Sequence, residues 1–228
     1  MTYVFEPLPR PTIAVSGSEE LFPIRRVFCV GRNYAAHAKE MGHDPDREAP
    51  FFFMKPADAV VTDGVLPYPP QTQDLHHEIE LVVAVGKGGK SISKEAALDH
   101  AFGYGVGIDF TRRDLQGEAK KLGRPWDWGK GFDNSAPMSP IVRLEDCGHP
   151  GAQQRIWLSV NGETRQEATL NELIWKVPEV ISIISQSMAI QPGDLIFSGT
   201  PAGVAAVVKG DLLKGGVEGV AELEIRIV

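Results

Sequence analysis

The sequence predicts an α+β fold rich in β-structure, and three observations lead there. Short apolar runs outnumber helical patterns, and several are joined by turns rather than helices, which disfavours a doubly wound α/β sheet. Ile156 to Val160 followed by Asn161-Gly162 carries the signal of a tight hairpin. At the C-terminus Leu223, Ile225 and Ile227 alternate with Glu222, Glu224 and Arg226, the period-two pattern of a half-buried closing strand. With 228 residues the chain is long enough for a substantial core.

Residues 1–25 are punctuated by proline and read as an irregular extension, leaving 26–228 as a single catalytic domain. Arg26 to Val30 is a short apolar strand ending at Gly31, and its Cys29 reads as a buried thiol. Asn33 is placed to cap a two-turn helix from Tyr34 to Met41, closed by Gly42. Phe51 to Met54 is a strand stopped before Pro56. The run from Glu78 ends at the turn cluster Gly86-Lys87-Gly88-Gly89. Lys94 to Ala101 reads as a helix, Phe102 to Asp109 as a buried strand, and Thr111 to Leu122 as an amphipathic helix ending at Gly123. Pro178 to Met188 has the early proline and apolar spacing of a buried helix. The best candidate for a domain boundary, 143–155, is short enough to be an ordinary loop.

Charge excludes one class of function. Lys plus Arg number 23 against 30 Asp plus Glu, giving −7, which argues against a nucleic-acid surface built on clustered cations. No run approaches the roughly 18 apolar residues of a membrane span. The first residues carry neither a basic nor an apolar signal segment, so a cytoplasmic enzyme is the expectation.

The segment His76-His77-Glu78-Ile79-Glu80-Leu81 is the most pointed feature. In a strand, Glu78 and Glu80 share one face while Ile79, Leu81, Val83 and Val85 line the other. Two carboxylates roughly 7 Å apart by strand rise and partly removed from water call for a cation between them. Asp109, at the tip of the run Gly103 to Ile108, would complete an oxygen-only set that selects Mg²⁺, Mn²⁺ or Ca²⁺ over zinc. His37 and Glu40 share a helix face and could activate water, although an exposed ion pair fits that spacing equally. Lys55 and Lys130 stand in apolar or Gly-rich surroundings where they could meet an anion or extend to solvent. Arg113 and Gln116 share a face after Asp109. The turn Ser198-Gly199-Thr200-Pro201 could offer backbone N–H groups to a carboxylate, but reads by its own residues as an ordinary surface turn.

Together these pieces resemble the fumarylacetoacetate hydrolase family. The matching segments are Val30-Gly31-Arg32-Asn33-Tyr34 with His37 and Glu40, Phe53-Met54-Lys55-Pro56, His77-Glu78-x-Glu80-Leu81, Gly107-Ile108-Asp109-x-Thr111-x-Arg113-Asp114-x-Gln116, Lys130-x-Phe132-Asp133, Asn161-Gly162-Glu163, and Gly193-Asp194 leading to Ser198-Gly199-Thr200-Pro201. The resemblance implies a β-rich mixed sandwich roll of the family's C-terminal-domain type, assembled as a homodimer. It implies Mg²⁺ or Mn²⁺ held by Glu78, Glu80 and Asp109, and a water-activating pair of His37 and Glu40. It also implies contacts to a 2,4-dioxo acid from Lys55, Arg113, Gln116, Lys130 and Thr200, with Lys130 placed among the catalytic groups. Arg32 and the Arg112–Arg113 pair are candidate cations for a second carboxylate. Fumarylpyruvate, cleaved to fumarate and pyruvate in aromatic-compound degradation, is therefore the expected substrate. Oxaloacetate decarboxylation and dienedioate isomerisation or decarboxylation remain open as uses of the same site.

Overall fold

A computed structural model describes residues 2–36 and 48–228. The expected helix from Tyr34 to Met41 falls largely outside these residues, and so do His37 and Glu40. Within them, a six-stranded mixed sheet runs in the order Val142–Arg143, Ala101–Ile108, Ile79–Val85, Asp194–Phe197, Arg26–Gly31, Phe51–Lys55. A five-stranded sheet packs against it in the order Glu163–Thr169, Arg155–Val160, Leu212–Val217, Ala221–Ile227, Val65–Leu66. The expected β-rich α+β roll is what the chain forms.

Strand Ile79–Val85 is buried along its whole length. Leu81, Val83 and Val85 enter the core shared with Ile156, Leu158, Leu213 and Ile225 of the second sheet. Val82 and Ala84, on the acid-bearing face, enter a second core with Val27, Cys29, Leu195 and Phe197. A sheet covered on both faces gives the site a rigid, dry backing. The hairpin predicted at Asn161-Gly162 is present: both residues have positive φ (52° and 84°), as a tight mirror-image turn requires, and Val160 pairs with Glu163.

Several expectations are corrected. The segment 1–25 is not wholly irregular, because Thr12–Ala14 and Leu21–Pro23 form an antiparallel hairpin. Its Ile13, Val15, Phe22 and Ile24 are buried in the second core. A lone two-stranded hairpin is marginal in water, but burying each such side chain is worth about 1.5–3 kcal/mol, which is ample to hold it. The helix expected over Thr111 to Leu122 begins at Arg113, because Thr111–Arg112 pairs as a strand with Leu75–His76. Lys94 to Ala101 shortens to a 3₁₀ turn at Ala97–His100, since Ala101 must already be extended to pair with Val85. Pro178 does lie in the first turn of helix Val177–Ser187, where Glu179 Oε2 accepts the Lys176 N–H at 3.0 Å. Asn33 caps nothing among the described residues: its side chain bonds the Trp175 N–H, the Trp175 carbonyl and the Ser198 carbonyl at 2.7–2.8 Å. No helix among the described residues is long and apolar enough to cross a membrane.

Candidate active site

Strand register assembles the acids. Ile79 pairs with Ile108 and Glu80 with Gly107, so the next residues, Glu78 and Asp109, meet where Asp109 N–H donates to the Glu78 carbonyl at 2.8 Å. On the other side Phe197 pairs with Val82, which carries Gly199 past Glu80; its N–H donates to Glu80 Oε2 at 2.6 Å. Ligand oxygens of Glu78, Glu80 and Asp109 lie within 4.8 Å of one another, and all three residues are buried.

Three cations answer the three acids. Lys130, on the short helix Asp127–Lys130, points its ammonium between Asp109 Oδ2 (2.6 Å), Glu78 Oε2 (2.9 Å) and Thr111 Oγ1 (2.6 Å). Arg113 reaches Glu78 Oε1 at 2.5 Å and Gln116 Oε1 at 2.7 Å, and its Nε donates to His76 Nδ1 at 3.4 Å. His76 Nε2 in turn lies 2.8 Å from Asp74 Oδ1. Lys55 is buried beneath Asp109, 2.8 Å from Oδ1, and donates to the carbonyls of Phe110 and Lys130. It does not line the cleft, and its ammonium stands against Asp109.

The protonation pattern follows from burial and neighbours. Burial works against the Lys130 ammonium, but Asp109 and Glu78 outweigh it and raise its pKa. Burial dominates at Lys55 and lowers its pKa. At Glu80, burial with Asp109 and Glu78 close by pushes the pKa well above the usual carboxylate range. A hard divalent cation would relieve that cost. The donor set fits one: three buried carboxylates whose oxygens lie within 4.8 Å of one another. Glu78, Glu80 and Asp109 are therefore the residues that would hold Mg²⁺ or Mn²⁺.

The Ser198–Pro201 turn is buried and not an ordinary surface turn. Gly199 has φ +99°, and a Cβ there would lie 2.6 Å from that of Asn33, so only glycine fits while its N–H meets Glu80. Thr200 Oγ1 accepts from Gln166 Nε2 at 2.8 Å, which leaves the hydroxyl proton for another partner. Gln166 also donates to the Pro201 carbonyl at 2.8 Å, while its Oε1 accepts the Ile79 N–H at 3.1 Å and lies 2.9 Å from His77 Nδ1. One amide thus ties the acid-bearing strand to the turn. Burial lowers His77 to about 4, so its ring is neutral at pH 7.

The cleft above these groups has a volume of about 30 Å³. Glu78, Glu80, Lys130, Arg113, Gln116 and Thr200 form its floor and sides; Arg32, Lys120, Phe53 and Trp126 also line it. Arg32, held at φ 55°, stands 5.2 Å from the Phe51 ring centre. Arg112 lies instead 4.3 Å above the Phe132 ring and is not part of the cleft.

Comparison with known proteins agrees with this geometry. A family profile described as Fumarylacetoacetate (FAA) hydrolase C-terminal matches residues 26–228. A crystal structure of fumarylpyruvate hydrolase from Pseudomonas aeruginosa, in complex with Mn²⁺ and pyruvate, is 50% identical and superposes with a TM-score of 0.96, covering 100% of this chain and 99% of that one. A fumarylpyruvate hydrolase from Ralstonia is 44% identical over 190 residues, 82% of this chain and 98% of the relative. The mitochondrial oxaloacetate tautomerase FAHD1 of Rattus norvegicus is 42% identical over 205 residues, 89% of this chain and 91% of the relative. On sequence, fold and the assembled carboxylate site together, the chain belongs to the fumarylacetoacetate hydrolase family.

Proposed function

We propose that the protein is a metal-dependent hydrolase that cleaves the C–C bond of an acylpyruvate, with fumarylpyruvate, split into fumarate and pyruvate during aromatic-compound degradation, as its preferred substrate. The observation that carries this reading is the buried Glu78–Glu80–Asp109 cluster, of which Glu78 and Glu80 line a cleft together with Lys130, Arg113, Gln116 and Thr200. The Pseudomonas relative holding Mn²⁺ with pyruvate supports it, since pyruvate is one of the two products.

When bound, the divalent ion would supply Lewis-acid stabilisation of the charge that develops on the 2-oxo acid oxygen as the bond breaks. The protein supplies the rest. Lys130, already fixed by Glu78, Asp109 and Thr111, holds a positive charge over the place where negative charge grows. Arg113 and Gln116 orient the carboxylate end. The Thr200 hydroxyl, its oxygen held by Gln166, is free to donate to the distal carbonyl oxygen. His37, oriented by Glu40, removes a proton from the water that attacks that carbonyl. The C3–C4 electron pair then passes to the pyruvate half, and protonation at C3 releases pyruvate beside the carboxylic acid.

A second reading, chemistry on oxaloacetate, is favoured by the rat relative. It shares the 2-oxo acid end and needs no attacking water. Purified protein with Mg²⁺ should release pyruvate from fumarylpyruvate faster than from acetylpyruvate or oxaloacetate, and EDTA should abolish the release. The reverse ranking would overturn the substrate. His37→Ala should stop acylpyruvate cleavage; if oxaloacetate turnover persists in that variant and dominates in the parent, the second reading takes over. We extend the reading to a cytoplasmic homodimer, in line with the short family members it resembles; sedimentation of the purified protein tests the assembly.

A further inference from the structure

Helix Arg113–Lys121 offers the cleft one residue per turn: Arg113, Gln116 and Lys120 stand at spacings of three and four and share a face. The first two are committed. Arg113 holds Glu78, Gln116 and His76, and Gln116 accepts from Arg113. Lys120 is different. It makes no hydrogen bond and no ion pair among the described residues; its ammonium lies 4.9 Å from the centre of the Trp126 ring. Trp126 packs edge-on against Phe51 at 5.1 Å and against Phe53 at 5.9 Å. These rings form one platform, with Arg32 on Phe51, Lys120 on Trp126 and Lys130 on Phe53.

A half-buried ammonium that makes no ion pair loses hydration without recovering it. An aromatic face returns only about 0.5–2 kcal/mol. An anion entering the cleft would recover the rest. The floor groups Arg113, Gln116 and Lys130 are taken up by the 2-oxo acid end, so a second carboxylate needs a partner of its own at the mouth.

We propose that Lys120, with Arg32 beside it, binds the distal carboxylate of a dicarboxylic acyl substrate and is the specificity-determining residue that favours an acid-ended acyl group over an apolar one. This rests on the acylpyruvate reading above. The groups facing Lys120 are Arg113, Arg32, Lys130 and Glu78; burial, then Arg113 and Arg32, bring its pKa down to about 8, the mark of a cation short of negative charge. The Trp126 wall fixes the ammonium at the cleft mouth and leaves its three protons for a carboxylate.

Lys120→Met and Lys120→Arg, each compared with the parent as Mg²⁺-loaded enzyme, test this in two ways. In pyruvate release, Lys120→Met should cut the fumarylpyruvate-to-acetylpyruvate ratio of kcat/KM at least tenfold, mainly through KM, while Lys120→Arg restores most of it. In calorimetry, the parent should bind fumarate more tightly than crotonate, which has the same chain with a methyl in place of one carboxylate, and Lys120→Met should erase that preference. An unchanged ratio, or an equal loss on both substrates with the fumarate preference intact, overturns the proposal. Should the parent cleave no acylpyruvate, the functional reading fails by itself, and the fumarate–crotonate comparison still decides the role of Lys120.

Discussion

On the floor of the cleft Glu78, Glu80 and Asp109 are met by Lys130, Lys55, Arg113 and the Gly199 N–H; at its mouth Arg32 and Lys120 rest on aromatic rings without an ion pair among the described residues. Strand register builds the floor, so its geometry is fixed by the pairing of Ile79 with Ile108 and of Phe197 with Val82. One helix face and a turn build the mouth. The floor suits the part of the reaction that every 2-oxo acid shares, and the mouth suits the part that differs between substrates. Changes to the floor should therefore lower all activities together, whereas changes to the mouth should reorder them.

The largest effect should come from the acids. Glu78→Gln or Asp109→Asn removes an anionic ligand and leaves Lys130 short of a partner. Mn²⁺ affinity measured by titration should fall at least ~10²-fold, since even second-layer changes at metal sites cost ~10–100-fold, and turnover of every substrate should fall with it. A variant that saturates with metal and stays active would remove these residues from the ligand set.

Lys130→Met should come next. Deleting one partner of a buried ion pair costs about 3–5 kcal/mol, and here two carboxylates lose their shared ammonium at once. The metal-free variant should melt well below the parent, and Mg²⁺ should raise its Tm by more than it raises the parent's, because the ion takes over the lost charge. Equal Mg²⁺ shifts in the two proteins would show that Lys130 and the ion do not share a task.

Gln166→Leu should give a smaller effect. It strands the Ile79 N–H, the Pro201 carbonyl and His77, at about 1–3 kcal/mol for a buried group left unpaired, and frees the Thr200 side chain. A fall of about tenfold in kcat, near 1.4 kcal/mol, is expected, with the fumarylpyruvate-to-acetylpyruvate ratio unchanged. A changed ratio would place Thr200 with the mouth and not with the floor.

How legible this was in the sequence depended on whether periodicity reached the residue. Glu78 and Glu80 were legible because strand parity alone puts them on one face, and Asp109 because it ends an apolar run. Arg113 and Gln116 followed from helix spacing, which holds for Lys120 as well; what hid Lys120 was the mixed charge around it, and only the Trp126 contact separates it from a solvated surface lysine. Gly199 was misjudged because nothing local in Ser198-Gly199-Thr200-Pro201 reveals that Asn33 and Glu80 close over it. Gln166 gave no signal. It faces the site because a bulge between Leu158 and Ser159 resets the register on its strand, and that is a property of the pairing and not of the residues. The Thr12–Pro23 hairpin was masked by neighbouring prolines, although Ile13 and Val15 alternate with polar or small residues as a strand should.

The smallest effect is a pH dependence confined to the mouth. Lys120 has a pKa of about 8, below its ordinary 10.5, so the folded protein sheds a proton there that the unfolded chain retains up to higher pH. Folding stability therefore gains from this group as pH rises from about 8 toward 10.5. Substrate selection moves the opposite way, because the neutral amine no longer attracts a carboxylate. Between pH 7 and 9 the KM for fumarylpyruvate should climb severalfold more than the KM for acetylpyruvate, while Lys120→Arg, which stays charged throughout, should keep the two in step. Floor groups titrating in the same interval would move both substrates together, so the ratio of the two KM values isolates the mouth. A ratio flat across that interval in the parent would mean that the ammonium keeps its proton once an anion is bound, and that Lys120 selects substrates without acting as a pH sensor.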